Sequence, residues 1–251
     1  MLYHQTSGNG SAVLLIHGYL ENLKMWDDIS FELSKNHLVI RCDNPGHGKS
    51  PNYSEIHSME LVAQKINEVI ESLGVSEVSV VGHSMGGYIA LAFAELFPEK
   101  VKSFFLMNSS SLADTDEKKE LRKRAAEVAQ KNMETLIKMS IPMLFAENSK
   151  GLESQKEFAR QMMRETSIPG VLAALKGMSQ RPDRTEILQR FEGKIGVILG
   201  TKDRTVDPIG FKNAIPKKDN ISILEIDCGH MSYLEKPNET LDFLKGFTTD
   251  K

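Results

Sequence analysis

Six short runs of aliphatic and β-branched residues recur along the chain, and the segments between them have the residue spacing of helices. Strands that are buried on both faces read as nearly continuous apolar runs, and their alternation with helices is typical of parallel α/β proteins. The sequence therefore predicts an α/β fold with a mostly parallel central sheet flanked by helices. The six runs are AVLLIHG (12–18), HLVIRCD (37–43), VSVVGHS (78–84), VKSFFLMN (101–108), IGVILG (195–200) and ISILEID (221–227).

Two of the segments between these runs have clear helix boundaries. In SMELVAQKINEVIESLG (58–74), Ser58 is a favourable N-cap residue, apolar residues recur on one face, and Gly74 can end the helix. A second helix is predicted from near Met85 to the residue before Pro98, because proline does not continue a helix.

One interval is too long for a single crossover, since roughly 85 residues separate the run ending at Asn108 from the run starting at Ile195. It opens with the mixed-charge stretch DTDEKKELRKR, interpreted as the solvated face of a helix, and continues with helical spacing through AAEVAQKNMETLIKM. Further helices are expected after it, broken at Pro142 and Pro169. The predicted division of the chain is a core of residues 1–109 and 185–251 and a helical cap of residues 110–184.

Composition is that of an ordinary globular protein and identifies no macromolecular partner. Of 251 residues, 40% are hydrophobic and 26% charged, and the net charge of −3 lacks the basic surplus of a nucleic-acid-binding protein. The N-terminus lacks signal-peptide character, and the early apolar run AVLLI is too short to span a bilayer. Cys42 and Cys228 are too few and too distant to suggest disulfides or a metal site. We expect a cytoplasmic protein without nucleic-acid or membrane partners, and the sequence does not indicate its oligomeric state.

The sequence GHSMGG contains the pattern Gly-x-Ser-x-Gly, with Ser84 between Gly82 and Gly86. Glycines at this spacing fit a tight turn, which could be purely structural. A predicted strand before the pattern and a predicted helix after it instead favour a nucleophile elbow, in which the turn exposes the serine hydroxyl.

A serine nucleophile needs a base and an acid that orients the base. His230 follows the last predicted strand and Asp203 follows the strand before it, so both lie where parallel sheets gather their active sites. Asp207 and Asp227 are alternative candidates for the acid. The order Ser84, Asp203, His230 is the order expected for this type of elbow.

Five segments distributed over nearly the whole chain resemble α/β-hydrolase-fold serine hydrolases, in particular carboxylesterase-like members with a helical cap. The resemblance implies that Ser84 is the nucleophile, His230 the general base and then acid, and Asp203 the residue that fixes the imidazole tautomer. It also implies that the backbone N–H groups of Tyr19 and Met85 form an oxyanion hole. The five segments are LLIHGYLEN (14–22), DNPGHGKS (43–50), GHSMGG (82–87), GTKDRTVDP (200–208) and GHMSYLEKP (229–237).

Methionine is concentrated in the predicted cap, where residues 111–179 hold six of the chain's 12 methionines. Flexible thioethers suit a surface that adapts to apolar ligands, although they also suit ordinary helix packing. The candidate pocket residues are Tyr19, His83, Met133, Met139, Met143 and Met231.

These observations predict hydrolysis of small to medium apolar carboxylic esters through an acyl-enzyme, with a small-molecule ester as the partner and no metal or cofactor. Serine at position 84 argues against epoxide hydrolases and haloalkane dehalogenases, which carry aspartate there. A carbon–carbon bond hydrolase acting on ring-cleavage products, a lactonase, an acyltransferase or a perhydrolase could use the same three residues, because the fold and triad do not fix the substrate. A ligand-binding homologue without turnover is the alternative from another class.

Overall fold

The centre of the molecule is a seven-stranded sheet in the order β1-β3-β2-β4-β5-β6-β7, described by a computed structural model that covers residues 1–147 and 149–248. All neighbouring strands are parallel except β1, which pairs antiparallel with β3. The sheet is therefore mostly parallel, as predicted. The strands are β1 (His4–Ser7), β2 (Ser11–Ile16), β3 (His37–Cys42), β4 (Val78–His83), β5 (Val101–Met107), β6 (Lys194–Gly200) and β7 (Ile221–Ile226).

Strand β1 was not predicted from the sequence. Its residues, HQTS, are polar and none of them is fully buried. An edge strand pairs on one side only, so it can form without the apolar run that reveals a central strand.

Eleven α-helices occur in the described residues. α1, α3 and α11 pack against β3, β4 and β6, respectively. α2 is capped by Ser58, whose hydroxyl accepts from the Leu61 N–H at 3.1 Å, and the chain turns at Gly74 with a φ of +67°. Both predicted helix ends are confirmed. The helices are α1 (Asp27–Leu33), α2 (Met59–Ser72), α3 (Met85–Leu96), α4 (Asp116–Lys131), α5 (Met133–Leu144), α6 (Glu153–Arg164), α7 (Ile168–Gln180), α8 (Thr185–Arg190), α9 (Pro208–Ala214), α10 (Ser232–Glu235) and α11 (Pro237–Thr248).

Helices α4 to α7 follow one another between β5 and β6, with short connections between them, and are called the α4–α7 segment (116–147 and 149–180). The predicted break at Pro142 is wrong, because this proline lies inside α5, near its C-terminal end. Proline removes one backbone hydrogen bond but has a helical φ, so a packed helix tolerates it there. The break falls instead at Asn132, whose side chain accepts from the Thr135 N–H and begins α5. Pro169 lies in the first turn of α7, where proline is favourable.

The α4–α7 segment is attached to the rest of the molecule by close backbone contacts. The Gly46 carbonyl accepts hydrogen bonds from both the N–H and the hydroxyl of Ser167, at 3.1 and 3.0 Å. Gly170 packs on Gly46 so tightly that a Cβ on Gly170 would overlap the Gly46 carbonyl. Just outside the two ends of the segment, the Arg184 N–H donates to the Ser111 carbonyl at 2.8 Å and joins the chain that enters the segment to the chain that leaves it. These contacts fix the segment over one end of the sheet.

The part of the chain described by the structure contains no helix with the length and apolar character needed to cross a bilayer. Both cysteines, Cys42 and Cys228, are buried and free.

His57 provides a test of how burial couples stability to pH. It is 2% exposed, and neither ring nitrogen has a hydrogen-bond partner in the described structure. Burial lowers the pKa of His57 to about 4, so the unfolded chain takes up this proton first as the pH falls. Between about pH 6.5 and 4, this group should lower the free energy of unfolding by up to about 1.4 kcal/mol per pH unit.

We expect His57→Leu and His57→Asn both to flatten the pH dependence of stability in this range, because each removes the same titration while packing differently. Urea unfolding at a series of pH values from 7.5 to 4.5 measures the free energy of unfolding and its slope with pH. A slope equal to that of the wild type in both variants would contradict the assignment.

Candidate active site

The turn from β4 to α3 holds Ser84 in an uncommon backbone conformation, with φ 51° and ψ −117°. Glycine is required at positions 82 and 86, two residues before and after Ser84, because neighbouring backbone atoms leave no space for a Cβ. A Cβ on Gly82 would overlap the Gly86 carbonyl oxygen, and a Cβ on Gly86 would overlap the carbonyl oxygen of Ile16 at the end of β2. The Ser84 N–H donates to the Met107 carbonyl at 2.9 Å. The turn is thus fixed between neighbouring strands with the serine side chain at its tip, as the nucleophile-elbow geometry requires.

Parallel strand register brings the distant candidate residues to this turn. The Ser84 hydroxyl oxygen lies 2.8 Å from His230 Nε2, and His230 Nδ1 lies 2.7 Å from Asp203 Oδ2. Asp203 and His230 follow β6 and β7, adjacent strands whose ends are paired through Gly200 and Ile226. The sequence-predicted trio is therefore assembled in a single hydrogen-bonded chain.

The electrostatics of Asp203 fix the tautomer of His230. Burial opposes the charged carboxylate, but His230 and the N–H groups of Thr205 and Val206, which donate at 2.7 and 3.0 Å, outweigh it and lower the pKa of Asp203. An ionised Asp203 only accepts, so His230 Nδ1 is the donor. In the neutral imidazole, Nε2 is then free to accept the proton of the serine hydroxyl.

The two alternative acids have other roles. Asp207 caps α9, accepting from the Ile209 and Gly210 N–H groups at 3.1 Å each. Asp227 is 68% exposed and pairs with Lys202 at 2.7 Å. Neither carboxylate is bonded to His230.

The loop after β2 lies against the serine turn. His17 is anchored by backbone hydrogen bonds: its Nδ1 donates to the Gly18 carbonyl and its Nε2 accepts from the Asn44 N–H, both at 2.8 Å. His47 likewise contacts the Pro45 carbonyl at 2.9 Å. Tyr19 follows in this fixed loop.

The Met85 backbone N–H lies at the start of α3, directly after Ser84. The first N–H groups of a helix have no hydrogen-bond partner within the helix, so this N–H group makes none of the hydrogen bonds of α3.

A buried pair that sequence reasoning missed, Glu21 and His83, connects the loop after β2 to His230. Glu21 Oε2 accepts from the Gly18 N–H at 2.6 Å and lies 2.8 Å from His83 Nδ1. The Tyr233 hydroxyl donates to the other Glu21 oxygen at 3.1 Å. His83 Nε2 lies 3.0 Å from the His230 carbonyl oxygen.

Both nitrogens of His83 therefore face acceptors, which requires the doubly protonated imidazolium. Burial opposes this charge, but the Glu21 carboxylate and the His230 carbonyl prevail and raise the pKa of His83. Burial likewise opposes the charge of Glu21, but the interaction with His83 outweighs it and lowers the pKa of Glu21 overall. Glu21 lies within LLIHGYLEN and His83 within GHSMGG, but no spacing rule connects the two segments.

A cavity of about 520 Å³ lies between this end of the sheet and the α4–α7 segment, and Ser84 and His230 line it. Five of the six predicted pocket residues line it, and three further methionines from α6 and α7 do so as well. Met133 does not: it begins α5 and packs against the hydrophobic core instead. The five are Tyr19, His83, Met139, Met143 and Met231, and the further three are Met162, Met163 and Met178.

The lining also contains cationic side chains that the sequence analysis did not assign to it: Lys118, Arg122, Arg124 and Arg204. Within residues 1–147 and 149–248, no group of three His, Cys, Asp or Glu side chains is placed to hold a metal ion.

Comparison with known proteins gives similarity over the whole chain. A thermophilic esterase from Thermogutta terrifontis, solved in a malate-bound form, superposes with a TM-score of 0.91 at 29% identity, covering 98% of this chain and 92% of that one. The enol-lactonase from Burkholderia xenovorans LB400 also has a TM-score of 0.91, at 21% identity over 99% of this chain and 96% of that one, which shows a shared fold.

The relatives differ in how much of their own length this chain covers. Lipase 1 of Psychrobacter immobilis is 26% identical over 98% of this chain and 80% of its own. An uncharacterized protein of Mycobacterium tuberculosis is 33% identical over 106 residues. This match covers 42% of this chain but only 31% of the length of that protein.

A family model described as the alpha/beta hydrolase fold matches residues 11–237, from β2 into the start of α11. That range includes Ser84, the residues His230 and Asp203 that continue its hydrogen-bonded chain, and the α4–α7 segment. The chain belongs to the α/β hydrolase fold family.

Proposed function

We propose that this protein is a serine hydrolase that cleaves small to medium, largely apolar carboxylic esters. The observation that carries the proposal is the hydrogen-bonded chain from Ser84 through His230 to Asp203, with separations of 2.8 and 2.7 Å. It supplies a nucleophile, a base and an orienting acid in the geometry required for acyl transfer. The esterase and lipase among its relatives support the same reaction class.

In the first step, the Ser84 oxygen attacks the ester carbonyl carbon while its proton passes to His230 Nε2. The tetrahedral oxyanion is held by the backbone N–H groups of Tyr19 and Met85, each worth on the order of 10² to 10³ in rate. The carbon–oxygen bond to the alcohol then breaks, and His230 returns the proton to the departing alkoxide. This leaves an acyl-Ser84 ester.

In the second step, water attacks the acyl-enzyme while His230 takes one of its protons. The intermediate collapses, Ser84 recovers its proton from His230, and the carboxylic acid leaves. We assign the α4–α7 segment the role of a cap that excludes bulk water from this chemistry and shapes the acyl pocket.

The buried Glu21–His83 pair is proposed to position both halves of the site. Glu21 holds the Gly18 N–H, next to the proposed oxyanion donor Tyr19, and His83 holds the His230 backbone. Neither side chain is hydrogen-bonded to the serine hydroxyl. Each acts through a neighbour and is therefore a positioning residue.

The nucleophile is tested by labelling with a fluorophosphonate and by hydrolysis of p-nitrophenyl butyrate. Ser84→Ala should abolish labelling and lower kcat by at least about 10⁴, since the attacking oxygen is removed. Ser140→Ala is the matched control, because this cavity serine donates its hydroxyl to the Leu136 carbonyl and should not react. An unlabelled wild-type protein would overturn the catalytic assignment. Turnover of a ring-cleavage dienoate without esterase activity would favour carbon–carbon hydrolysis.

The acid is tested by three aspartate-to-asparagine variants in the same assay. Asp203→Asn should lower kcat by about 10³ to 10⁴, because an amide no longer stabilises the His230 tautomer. Asp207→Asn and Asp227→Asn should stay close to wild type, since neither carboxylate reaches His230. Normal turnover in Asp203→Asn would contradict its assignment.

The positioning pair is tested by a double-mutant cycle on stability and turnover. Glu21→Gln should destabilise the fold by about 3 to 5 kcal/mol, because it leaves a buried His83 charge unpaired. Adding His83→Gln should recover part of this loss, and kcat should fall more than KM rises in each variant. The exposed Lys24–Glu165 pair, 2.6 Å apart, is the control and should couple by at most about 1 kcal/mol. Additive effects at Glu21 and His83 would refute a coupled pair.

A further inference from the structure

The wall of the cavity carries more positive than negative charge. Lys118, Arg122 and Arg124 reach it from α4, and Arg204 reaches it from the loop after β6. Among the described lining residues, the only carboxylate is Glu21, which is already paired with His83. Of the lining arginines, Arg124 pairs with Glu120 at 3.4 Å and Arg204 with Glu147 at 3.9 Å, whereas Arg122 belongs to a buried cluster.

The excess charge is concentrated in a buried cluster of Asp114, Arg122 and Arg181. Asp114 is fully buried and accepts from Arg122 Nε and Nη2 and, at 2.7 Å, from Arg181 Nη1. Burial opposes its charge, but the two guanidinium groups outweigh it and lower the pKa of Asp114. Two cations therefore share one carboxylate. The cluster has a net charge of about +1. Arg181 also donates to the Leu112 and Met178 carbonyls and stacks on the Tyr88 ring, which leaves Arg122 as the member that can meet an anion.

Arg122 is the member of this cluster that faces the cavity, with its side chain 19% exposed. Its guanidinium has five N–H donors, of which Asp114 engages one on Nε and one on Nη2. Nη1 lies 3.3 Å from the sulfur of Met178, a weak acceptor that also lines the cavity. The Nη1 and Nη2 donors that remain form an edge of the kind that binds a carboxylate through two parallel hydrogen bonds.

A second, independent donor lies in the same cavity wall. The Tyr19 hydroxyl is buried and has no hydrogen-bond partner among the described residues, although a buried phenol ordinarily has one. Burial raises the pKa of Tyr19, and the nearby Arg122 charge partly opposes this shift, so the hydroxyl stays protonated and able to donate. The hydroxyl interacts electrostatically with Arg122, so the two donors lie on the same part of the cavity wall.

We propose that the cavity binds esters carrying a second, free carboxylate, held by Arg122 and the Tyr19 hydroxyl while the ester bond lies at Ser84. The methionine-lined surface between them contacts an apolar stem, so the substrate class is the half-ester of an aliphatic dicarboxylic acid. The inference rests on the proposed hydrolytic function and specifies its substrate.

The test compares two esters of nearly equal shape, monomethyl adipate and methyl hexanoate. The rate of hydrolysis of each ester is measured as acid release in a pH-stat. Wild type should prefer the half-ester in kcat/KM. Arg122→Gln should reduce that preference about 10- to 100-fold, mainly through KM, as expected for loss of a charge-assisted hydrogen bond. Tyr19→Phe, which leaves the Asp114 cluster intact, should reduce it less.

Arg164→Gln is the control of equal charge change, because Arg164 lies on α6, pairs with Glu134 and does not line the cavity. It should leave the preference unchanged. Hydrolysis of both esters with no loss of preference in Arg122→Gln would overturn the carboxylate subsite while leaving the proposed function intact.

A binding measurement separates the two proposals. Calorimetric titration of folded Ser84→Ala with adipate should give binding that weakens about 10- to 100-fold when Arg122→Gln is added. Arg122-dependent binding in a protein that hydrolyses no ester would support the subsite and refute the proposed function. Equal binding with and without Arg122 would refute the subsite.

Discussion

The close approach of β2, β4 and α3 is the constraint on which the rest of the site depends. Gly86 lies against the Ile16 carbonyl and Gly82 lies against the Gly86 carbonyl, with no room for a Cβ at either position. Ser84, between them, is held at a positive φ that L-residues rarely adopt. Its hydroxyl is thereby presented at the carboxyl end of the sheet, where the loops after β6 and β7 bring Asp203 and His230.

Buried charge then holds the surrounding loops in place. Asp203 orients the ring of His230, and the Glu21–His83 pair fixes the backbone of the same residue and the loop that contains Tyr19. Such pairs add little net stability relative to apolar packing, but loss of one partner is severe because an unpaired charge remains buried. These buried interactions therefore contribute mainly by positioning the site residues and add little to the net stability of the fold.

Charged side chains at the start of the α4–α7 segment differ in their burial. The mixed-charge stretch at its start was interpreted as a solvated helix face, and for Arg124, which is 68% exposed, that description is correct. Arg122, two residues earlier, turns inward to Asp114 and the cavity wall. On a helix, two residues correspond to more than half a turn, so Arg122 is held in the buried cluster while Arg124 stays largely exposed, although both contribute to the cavity lining. The pattern of charges does not reveal which of them is buried.

The sequence by itself determined the parallel α/β architecture, the glycine-flanked turn at Ser84 and the candidates that lie after β6 and β7. These follow from local signals: apolar runs, glycine spacing and position relative to a strand end. It could not detect β1, whose pairing is at a polar edge, or choose Asp203 over Asp207 and Asp227 from spacing alone.

Tertiary structure decided which aspartate reaches His230, that Glu21 meets His83 across 62 positions in the chain, and that Met133 packs against the core instead of lining the cavity. The physical reason is that hydrogen bonds and burial depend on distances between segments far apart in the chain, whereas periodicity and turn chemistry report only on neighbours.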